Sequence, residues 1–409
     1  MRPCFVRIEA GPLFFADDHR GIGGAEVRSA MFAKALARRP DYEVSFVLGS
    51  CRPRPTESVD GVRVHFLRTM RRSRDRARGL AMGWQWPADM IQRIAHDIHA
   101  RLPVTPKPWP FFNRLDADTL LCFGMQPPMI NAIASARYSG KRSILFLVQD
   151  LDDDFPGTIW NRYPLKRMRD TRWRRWAIEH ADCIVAQSTS QQETLRSRFG
   201  RESALIRNPI KISNHDPARP PEVPANYALW VGRSDHRGKR SDLCLELIRR
   251  HPQIPFVVVM NPCSDRDAAE LEQTRRNNVV LLRRVPFDAI EPYYRHARLL
   301  INTSLREGFP NTFLQAARWG VPIITWQVDP DGMLTRHGCG RTAGGCMDSL
   351  SELLNRFWQP GPEREAISKA GKTYVRLHHD LDDRVAELEE LIRKVHGEAR
   401  EKDKTRQSA

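Results

Sequence analysis

Several features that define common protein classes are missing from this chain of 409 residues. No apolar run approaches the roughly 20 residues of a transmembrane helix, which argues against a membrane-spanning protein. The eight cysteines are scattered without a Cys-x-x-Cys pair, which argues against a disulfide scaffold or zinc knuckle and favours a reducing compartment. Residues 4–8 are strand-like and too short for the apolar core of a signal peptide. We therefore expect a cytoplasmic protein that contacts a membrane only from its surface.

Acidic residues are too few to balance the basic ones. The 65 Lys and Arg against 49 Asp and Glu give a formal net charge of +16. This excess predicts an anionic partner, such as the phosphates of a nucleotide sugar, an anionic membrane surface or nucleic acid. A solvated basic surface with no single partner is the alternative interpretation. The hydrophobic fraction of 41% is typical of a globular protein, and the length accommodates two domains.

Short apolar runs alternate with helical patterns along the chain. This alternation predicts an α/β fold with parallel sheets covered by helices. The predicted strands form two series, at 5–8, 44–48, 62–67, 119–123, 144–148 and 183–186, and at 228–231, 256–260, 279–282, 299–302 and 323–325. Five prolines between residues 208 and 226 separate the series and are typical of a linker.

The most informative motif is Ser-Leu-Arg-Glu-Gly-Phe-Pro-Asn-Thr-Phe-Leu-Gln-Ala-Ala at residues 304–317, where a polar turn leads into an apolar helix pattern. Backbone N–H groups at a helix start attract phosphate, and the acid Glu307 at the loop tip could meet a substrate beside it. Upstream, Arg233 and Lys239 follow a predicted strand six residues apart. Two such cations can clamp a diphosphate, although solvated surface cations would be the better interpretation of this motif alone.

A glycine-rich motif, Gly-Ile-Gly-Gly-Ala-Glu at residues 21–26, precedes the first long helix pattern. Glycines at Gly23 and Gly24 leave backbone N–H groups accessible to a phosphate. As a dinucleotide fingerprint the motif is poor, because Glu26 stands where the third glycine would be. A glycine-rich turn that caps a helix is the alternative interpretation.

Together these motifs resemble the signature of the retaining nucleotide-sugar glycosyltransferases of family 4 (glycosyl transferases group 1, bacterial-polysaccharide type). The family pattern Glu-x(7)-Glu begins here at Glu307, whereas Gln315 occupies the second position and departs from the family. The segment 232–239 is similar to the family's Gly-Arg-x(5)-Lys pattern, and the glycine motif resembles its Gly-Gly-Ala-Glu loop. The resemblance implies the GT-B fold, in which two Rossmann-like domains face each other across a cleft.

The implied domain organisation follows the two strand series. We expect an amino-terminal acceptor domain at 1–210, a linker at 211–226 and a nucleotide-sugar domain at 227–380. In this family the final helix, here 381–397, crosses back to the first domain. The charged segment 398–409 is predicted to be disordered.

The resemblance also implies roles for individual residues. Glu307 would bind the donor sugar and stabilise an oxocarbenium-like transition state, while Arg233 and Lys239 would hold the diphosphate as catalytic cations. The donor-binding residues implied are Gly23, Gly24, Gly308, Phe309, Pro310, Asn311, Thr312 and Gln315.

Acidic residues follow the predicted strand at 144–148. They contain Asp-x-Asp, which binds a divalent metal in a different glycosyltransferase fold. GT-B enzymes generally need none, because Arg and Lys neutralise the diphosphate, so we expect neither a metal nor a cofactor. Many family members place a histidine here. This chain has none, so Asp150 or Asp152 is expected to contact the sugar or acceptor, with helix caps and turns as the alternative.

Two basic segments, 68–86 and 160–176, combine arginines with tryptophans. This combination suits the interface of an anionic membrane. A solvated face without a partner is the main alternative. RNA is the less favoured rival, because no RNP, KH, zinc-knuckle or helix-turn-helix pattern accompanies the segments.

The predicted function is a metal-independent retaining hexosyltransferase of polysaccharide or cell-envelope glycan synthesis. It would move a sugar from a nucleotide sugar to a glycan, lipid-linked or small-molecule acceptor. The alternatives are another GT-B enzyme, such as a nucleotide-sugar epimerase or hydrolase, and a non-catalytic basic binding protein.

Overall fold

A computed structural model describes residues 1–18, 21–69, 105–151, 164–212, 215–234, 238–261, 277–283 and 285–407. The chain forms two compact units. The first comprises Met1–Gln187, Gln191–Ile206 and Val385–Ala409, and the second comprises Ser188–Ser190 and Arg207–Arg384. Within the ranges above, no helix is long and apolar enough to cross a membrane.

The first unit is built on a sheet with eight strands among the described residues. These are β1 (Pro3–Val6), β2 (Ser45–Ser50), β3 (Glu57–Val59), β4 (Val62–Arg68), β5 (Thr119–Phe123), β6 (Arg142–Phe146), β7 (Cys183–Ala186) and β8 (Ala204–Leu205). Their spatial order is β3-β4-β2-β1-β5-β6-β7-β8, and only the β3–β4 pair of this sheet is antiparallel.

The second unit carries a sheet whose described strands are all parallel. They are β9 (Ala228–Arg233), β10 (Phe256–Asn261), β11 (Val279–Leu282), β12 (Leu299–Asn302), β13 (Ile323–Thr325) and β14 (Gly340–Thr342), in the order β11-β10-β9-β12-β13-β14. The predicted α/β class with two Rossmann-like parallel sheets is confirmed.

Most of the described helices lie between consecutive strands, and the last three follow β14. In chain order they are α1 (Gly24–Leu36), α2 (Pro110–Arg114), α3 (Pro127–Tyr138), α4 (Pro164–His180), α5 (Thr189–Phe199), α6 (Ser241–Arg250), α7 (Glu291–Arg295), α8 (Asn311–Ala317), α9 (Met347–Trp358), α10 (Pro362–His379) and α11 (Leu381–Gln407). Among the described residues, three short 3₁₀ helices lie at Gly11–Leu13, Phe287–Ala289 and Pro330–Gly332.

The second sheet is buried on both faces, as the strand β10 illustrates. Val257 and Val259 pack into one apolar cluster, whereas Val258 and Met260 pack into another. Successive side chains of a strand point to opposite faces, so a continuous apolar run fits a sheet that is covered on both sides.

Strand order locates the part of each sheet where a ligand can bind. From β9 the chain continues to β10 and β11 on one side, and later returns to β12, β13 and β14 on the other. The carboxyl ends of β9 and β12 therefore flank a topological switch point, where open parallel sheets form crevices. The first sheet has an equivalent switch point between β1 and β5.

The last helix, α11, returns to the first unit from Val385 onward. His396 Nε2 lies 2.6 Å from the hydroxyl oxygen of Thr119 and 3.2 Å from Asp118 Oδ1. The helix extends to Gln407, where the sequence predicts a disordered tail from residue 398. The Glu, Lys and Arg residues of this segment have good helix propensity and can continue an existing helix.

Candidate active site

The loop between β12 and α8, residues 303–310, is the centre of the candidate site and is called the Glu307 loop. It begins at the carboxyl end of β12, where the Asn302 side chain accepts a hydrogen bond of 3.1 Å from the Ser304 N–H. The Leu305 N–H donates to the Gly238 carbonyl at 3.0 Å. This backbone contact brings the Glu307 loop beside the segment that contains Lys239.

Glu307 and Lys239 form an ion pair within the second unit. Their side chains are 17% and 26% exposed, so the pair is accessible to a ligand while being partly shielded from water. The hydroxyl of Ser304 donates to the same Glu307 oxygen at 2.7 Å. Two donors therefore fix the carboxylate at the carboxyl edge of the sheet, and two of the predicted catalytic residues are brought together.

Thr303 anchors the lysine segment to the sheet. The indole N–H of Trp230 donates to the Thr303 hydroxyl at 2.9 Å, and this hydroxyl donates to the Lys239 carbonyl at 2.8 Å. The Trp230 ring also explains Gly232, because a Cβ at that position would lie 2.7 Å from a ring carbon. This chain of contacts connects β9, β12 and the lysine segment.

Arg233 is the last residue of β9 and is exposed. It lies on the same edge of the sheet as the Glu307 loop, because β9 and β12 are parallel neighbours. Residues 235–237, which join Arg233 to the Lys239 segment, lie outside the described residues.

The remaining donor-binding residues predicted in the second unit surround α8. Gly308 is half-buried and Phe309 is 6% exposed. Pro310 is buried and immediately precedes the seven-residue helix, which begins with Asn311 and Thr312. Gln315 is half-buried one turn along the same helix.

In the first unit, the predicted residues Gly23 and Gly24 lie where α1 begins. The Gly23 N–H donates to Glu26 Oε2 at 2.8 Å, which is one half of a capping box, because glycine has no side chain to return the bond. A Cβ at residue 23 would lie 2.9 Å from this oxygen, so a larger residue here would have to displace the Glu26 carboxylate. The Gly23 N–H is therefore hydrogen-bonded within the protein, as the capping interpretation predicts. Gly24 is the first residue of the helix.

Glu26 also pairs with Arg7, which sequence reasoning did not identify. Arg7 Nη2 and Nε lie 2.6 Å and 2.9 Å from Glu26 Oε1. The Arg7 guanidinium further donates to the Phe123 carbonyl at 3.0 Å and to Gln126 at 2.9 Å. The buried pair thus ties the helix start to the ends of β1 and β5, at the switch point of this sheet. The available sequence signal was a charged residue directly after the apolar strand β1.

Asp150 follows β6 on the carboxyl edge of the first sheet and is half-buried. The neighbouring Gln149 carbonyl accepts a hydrogen bond of 2.9 Å from the Gln191 side chain. Asp152, the other acid predicted to contact sugar or acceptor, lies outside the described residues.

Family models match most of the chain. Residues 23–209 match the model described as glycosyl transferase 4-like domain, and residues 225–354 match the model described as glycosyl transferases group 1.

Solved structures share the fold at low sequence identity. A sucrose-phosphate synthase from Thermosynechococcus elongatus matches with a TM-score of 0.71 and 13% identity over 97% of this chain and 99% of that chain. HepE of Anabaena, in complex with UDP and glucose, matches with a TM-score of 0.66 and 15% identity over 96% and 99%. The lipopolysaccharide outer core galactosyltransferase WaaB matches with a TM-score of 0.54 and 16% identity over 93% and 96%. These neighbours have the GT-B fold, which agrees with the two parallel sheets.

Proposed function

Because the chain belongs to the group 1 glycosyltransferases of family 4 and has the GT-B fold, we propose that it is a retaining hexosyltransferase. It transfers a sugar from a nucleotide-sugar donor to a glycan, lipid-linked or small-molecule acceptor in polysaccharide or cell-envelope glycan synthesis. The observation that carries this proposal is the Glu307–Lys239 ion pair at the switch point of the second sheet. A carboxylate can bind sugar hydroxyls and a cation can bind phosphates, so this pair suits a sugar diphosphate.

The two charges act on different parts of the donor. Lys239 and Arg233 hold the diphosphate and offset the negative charge that grows on the leaving nucleotide. Glu307, fixed by Ser304, binds sugar hydroxyls and stabilises the positive charge that develops at the anomeric carbon. The backbone of Gly308–Thr312 lies beside the sugar and phosphate. The acceptor hydroxyl attacks from the side of the leaving phosphate, which takes its proton.

The reaction proceeds without a metal ion in this proposal. A metal is needed where only anions surround a diphosphate, whereas the predicted site has Lys239 and Arg233 at one sheet edge. Activity should therefore stay within about twofold of the untreated enzyme when EDTA is added. Complete loss on chelation, restored by Mg²⁺, would instead assign a metal to the acids at 150–154.

A lipid-linked acceptor would place the protein on the cytoplasmic face of a membrane. In the described part of the chain, α4 exposes Arg172 and Arg175. The Arg175 guanidinium lies 5.4 Å from the centre of the Phe199 ring. Arginines beside aromatic rings suit an anionic lipid surface. Residues 70–104 and 152–163, which hold Trp160, Arg162 and most of the first basic segment, lie outside the described residues.

The test is donor turnover followed by NMR with a panel of UDP-, GDP- and ADP-sugars. UDP-glucose is the first donor to test, because HepE binds UDP and glucose. Transfer to a supplied glycan or lipid-linked acceptor, with the anomeric configuration retained, is the expected result. Turnover without acceptor would identify an epimerase or hydrolase, and a folded protein that turns over no donor would be a binding protein.

A further inference from the structure

The chain enters and leaves the second unit through two segments that lie side by side. The unit begins its long segment at Arg207 and ends at Arg384. Between them, the Ile210 N–H donates to the His379 carbonyl at 2.8 Å, and the Leu381 N–H donates to the Ile210 carbonyl at 3.1 Å. These hydrogen bonds tie 208–210 to 379–381, and the two segments together are called the strap.

Asn208 of the strap reaches the Glu307 loop. Its side chain is buried, with 3% of the residue exposed. The amide nitrogen donates to the Phe309 carbonyl at 3.1 Å and to the Asn311 side-chain oxygen at 3.0 Å. Both N–H groups of the Asn208 amide are therefore bound to residues within four positions after Glu307. Neither hydrogen bond is made within the strap.

His379 forms a hydrogen bond with the backbone of Asn208. The imidazole Nδ1 lies 2.7 Å from the Asn208 carbonyl, which can only accept, so Nδ1 carries the proton. The ring is fully buried and packs against the Phe309 ring, with 4.8 Å between the ring centres. The histidine therefore contacts both the asparagine that supports the loop and the aromatic residue within it.

A second asparagine of the same unit, Asn278, serves as a comparison, because the role of its amide is purely structural. Asn278 donates to the His251 and Ile254 carbonyls at 3.2 Å and 3.0 Å, in the connection from α6 to β10. That connection lies at the amino ends of the strands, opposite the Glu307 loop. Asn208 and Asn278 thus each donate two hydrogen bonds at opposite edges of one sheet, Asn208 from a buried position and Asn278 from a half-buried one.

We propose that Asn208 and His379 are positioning residues that hold the Glu307 loop in the geometry needed to bind the donor. Neither touches the reacting atoms. The expected effect on catalysis rests on the proposed function. The support of the Glu307 loop by Asn208 and His379 can be measured on the protein alone. Displacing a substrate-binding group by about 1 Å can cost on the order of a hundredfold in rate, so loosening this support should be visible in turnover.

The test compares Asn208→Leu with the matched control Asn278→Leu. Each change removes two amide donors at similar side-chain volume and lowers stability through unpaired carbonyls. Hydrogen exchange of the peptide 305–317 should become about tenfold faster in Asn208→Leu and stay unchanged in Asn278→Leu. UDP, used as the probe in calorimetry, should bind about tenfold more weakly to Asn208→Leu only.

A second pair of variants decides the question if Asn208→Leu fails to fold. His379→Asn keeps an N–H donor near the position of Nδ1, whereas His379→Phe keeps the ring and removes the donor. Faster exchange of 305–317 in His379→Phe, with recovery in His379→Asn, supports the positioning role. If the peptide 305–317 exchanges equally fast in the wild type, Asn208→Leu and His379→Phe, the positioning role is overturned. If the wild type binds none of UDP, GDP and ADP, the proposed function fails, while the exchange data still decide the support of the loop.

Discussion

Glu307 and Gln315 lie on either side of the start of α8, and their surroundings give them different roles. Glu307 carries a charge that Lys239 and Ser304 hold in place. Gln315 is an uncharged, half-buried side chain one turn into the helix. A ribose hydroxyl pair donates two hydrogen bonds, and an amide offers one acceptor oxygen where a carboxylate offers two. Charge at Glu307 should therefore matter for the chemical step, and the group at Gln315 for binding.

We expect Glu307→Ala to lower kcat by roughly a hundredfold or more, because it removes negative charge where positive charge develops. Gln315→Glu should be tolerated and change mainly the donor KM, since ribose contacts are similar in the ground and transition states. Steady-state kinetics of both folded variants measures this difference. If Glu307 only capped α8, its loss would cost about 1 kcal/mol of stability and leave kcat near normal.

The sequence motifs identified Glu307 and Lys239 but not the residues that support them. Trp230 and Thr303 lie in contact because β9 and β12 are parallel neighbours, a pairing that depends on strand order. No local pattern at Asn208 predicts its contact with Phe309, a residue far along the chain. Motifs record the groups that meet a ligand, whereas supporting contacts depend on tertiary packing.

Among the elements, the start of α1 depends on a buried ion pair. Arg7 and Glu26 have side chains that are 9% and 7% exposed, and each is bound within the network that also caps the helix. Removing Arg7 leaves the buried Glu26 charge without its ion-pair partner, and removing Glu26 leaves Arg7 with Glu9, whose carboxylate lies 3.6 Å away. Breaking a buried pair in this way typically costs about 3–5 kcal/mol. Replacing both by neutral groups removes that penalty.

A double-mutant cycle tests this dependence. Arg7→Met and Glu26→Gln should each lower the free energy of unfolding of the first unit by several kcal/mol, on the order of the loss of a buried pair. The double variant should lose clearly less than the sum of the two, because the uncompensated charge is gone. Denaturation in urea, followed by tryptophan fluorescence, provides the four free energies. Strictly additive losses would contradict a direct coupling between the two side chains.

Longer apolar strands were predictable to within a few residues, whereas three short strands were missed. The strand β7 spans Cys183–Ala186, which matches its predicted range. The strands β3, β8 and β14 were not predicted. β3 and β14 lie at sheet edges and contain Glu-Ser-Val and Gly-Arg-Thr, so no apolar run marks them. Their formation depends on pairing with a neighbouring strand, which a window of sequence does not contain.

For the whole molecule, the net charge of +16 predicts adsorption to anionic membranes. We expect the protein to pellet with vesicles that contain phosphatidylserine and not with vesicles of phosphatidylcholine alone. The Debye screening length falls from about 10 Å at 0.1 M salt to about 3 Å at 1 M, so raising the salt concentration should release the protein.

Two double variants, each of which removes two arginine charges, should show which surface of the protein contacts the membrane. The double variant Arg172→Gln/Arg175→Gln on α4 should weaken pelleting. The matched double variant Arg249→Gln/Arg250→Gln removes the same charge from α6 of the second unit, where Glu246 pairs with both arginines. It should leave pelleting unchanged. Equal effects of the two variants would indicate attraction by net charge alone, with no preferred face.

Stability of the molecule should also depend on pH through its buried histidines. Burial lowers the pKa of His65, His251 and His378, and it lowers the pKa of His379 to about 3. Protonating His379 would place a charge on Nε2, which has no hydrogen-bond partner among the described residues. The unfolded chain takes up these protons near the ordinary histidine pKa of about 6.5, before the folded protein does. Proton uptake by the unfolded state therefore favours unfolding as the pH falls below that value.

The free energy of unfolding should be highest above about pH 6.5 and should fall toward pH 5, before most carboxylates titrate. For each histidine whose pKa in the folded protein lies well below this range, the slope of the free energy of unfolding against pH approaches about 1.4 kcal/mol per pH unit. His379→Asn removes one such group, so its stability should be lower at neutral pH but should depend less steeply on pH. Urea denaturation at several pH values between about 7.5 and 5 measures both slopes. Identical slopes for the wild type and His379→Asn would show that His379 does not stay neutral in the folded protein through this range.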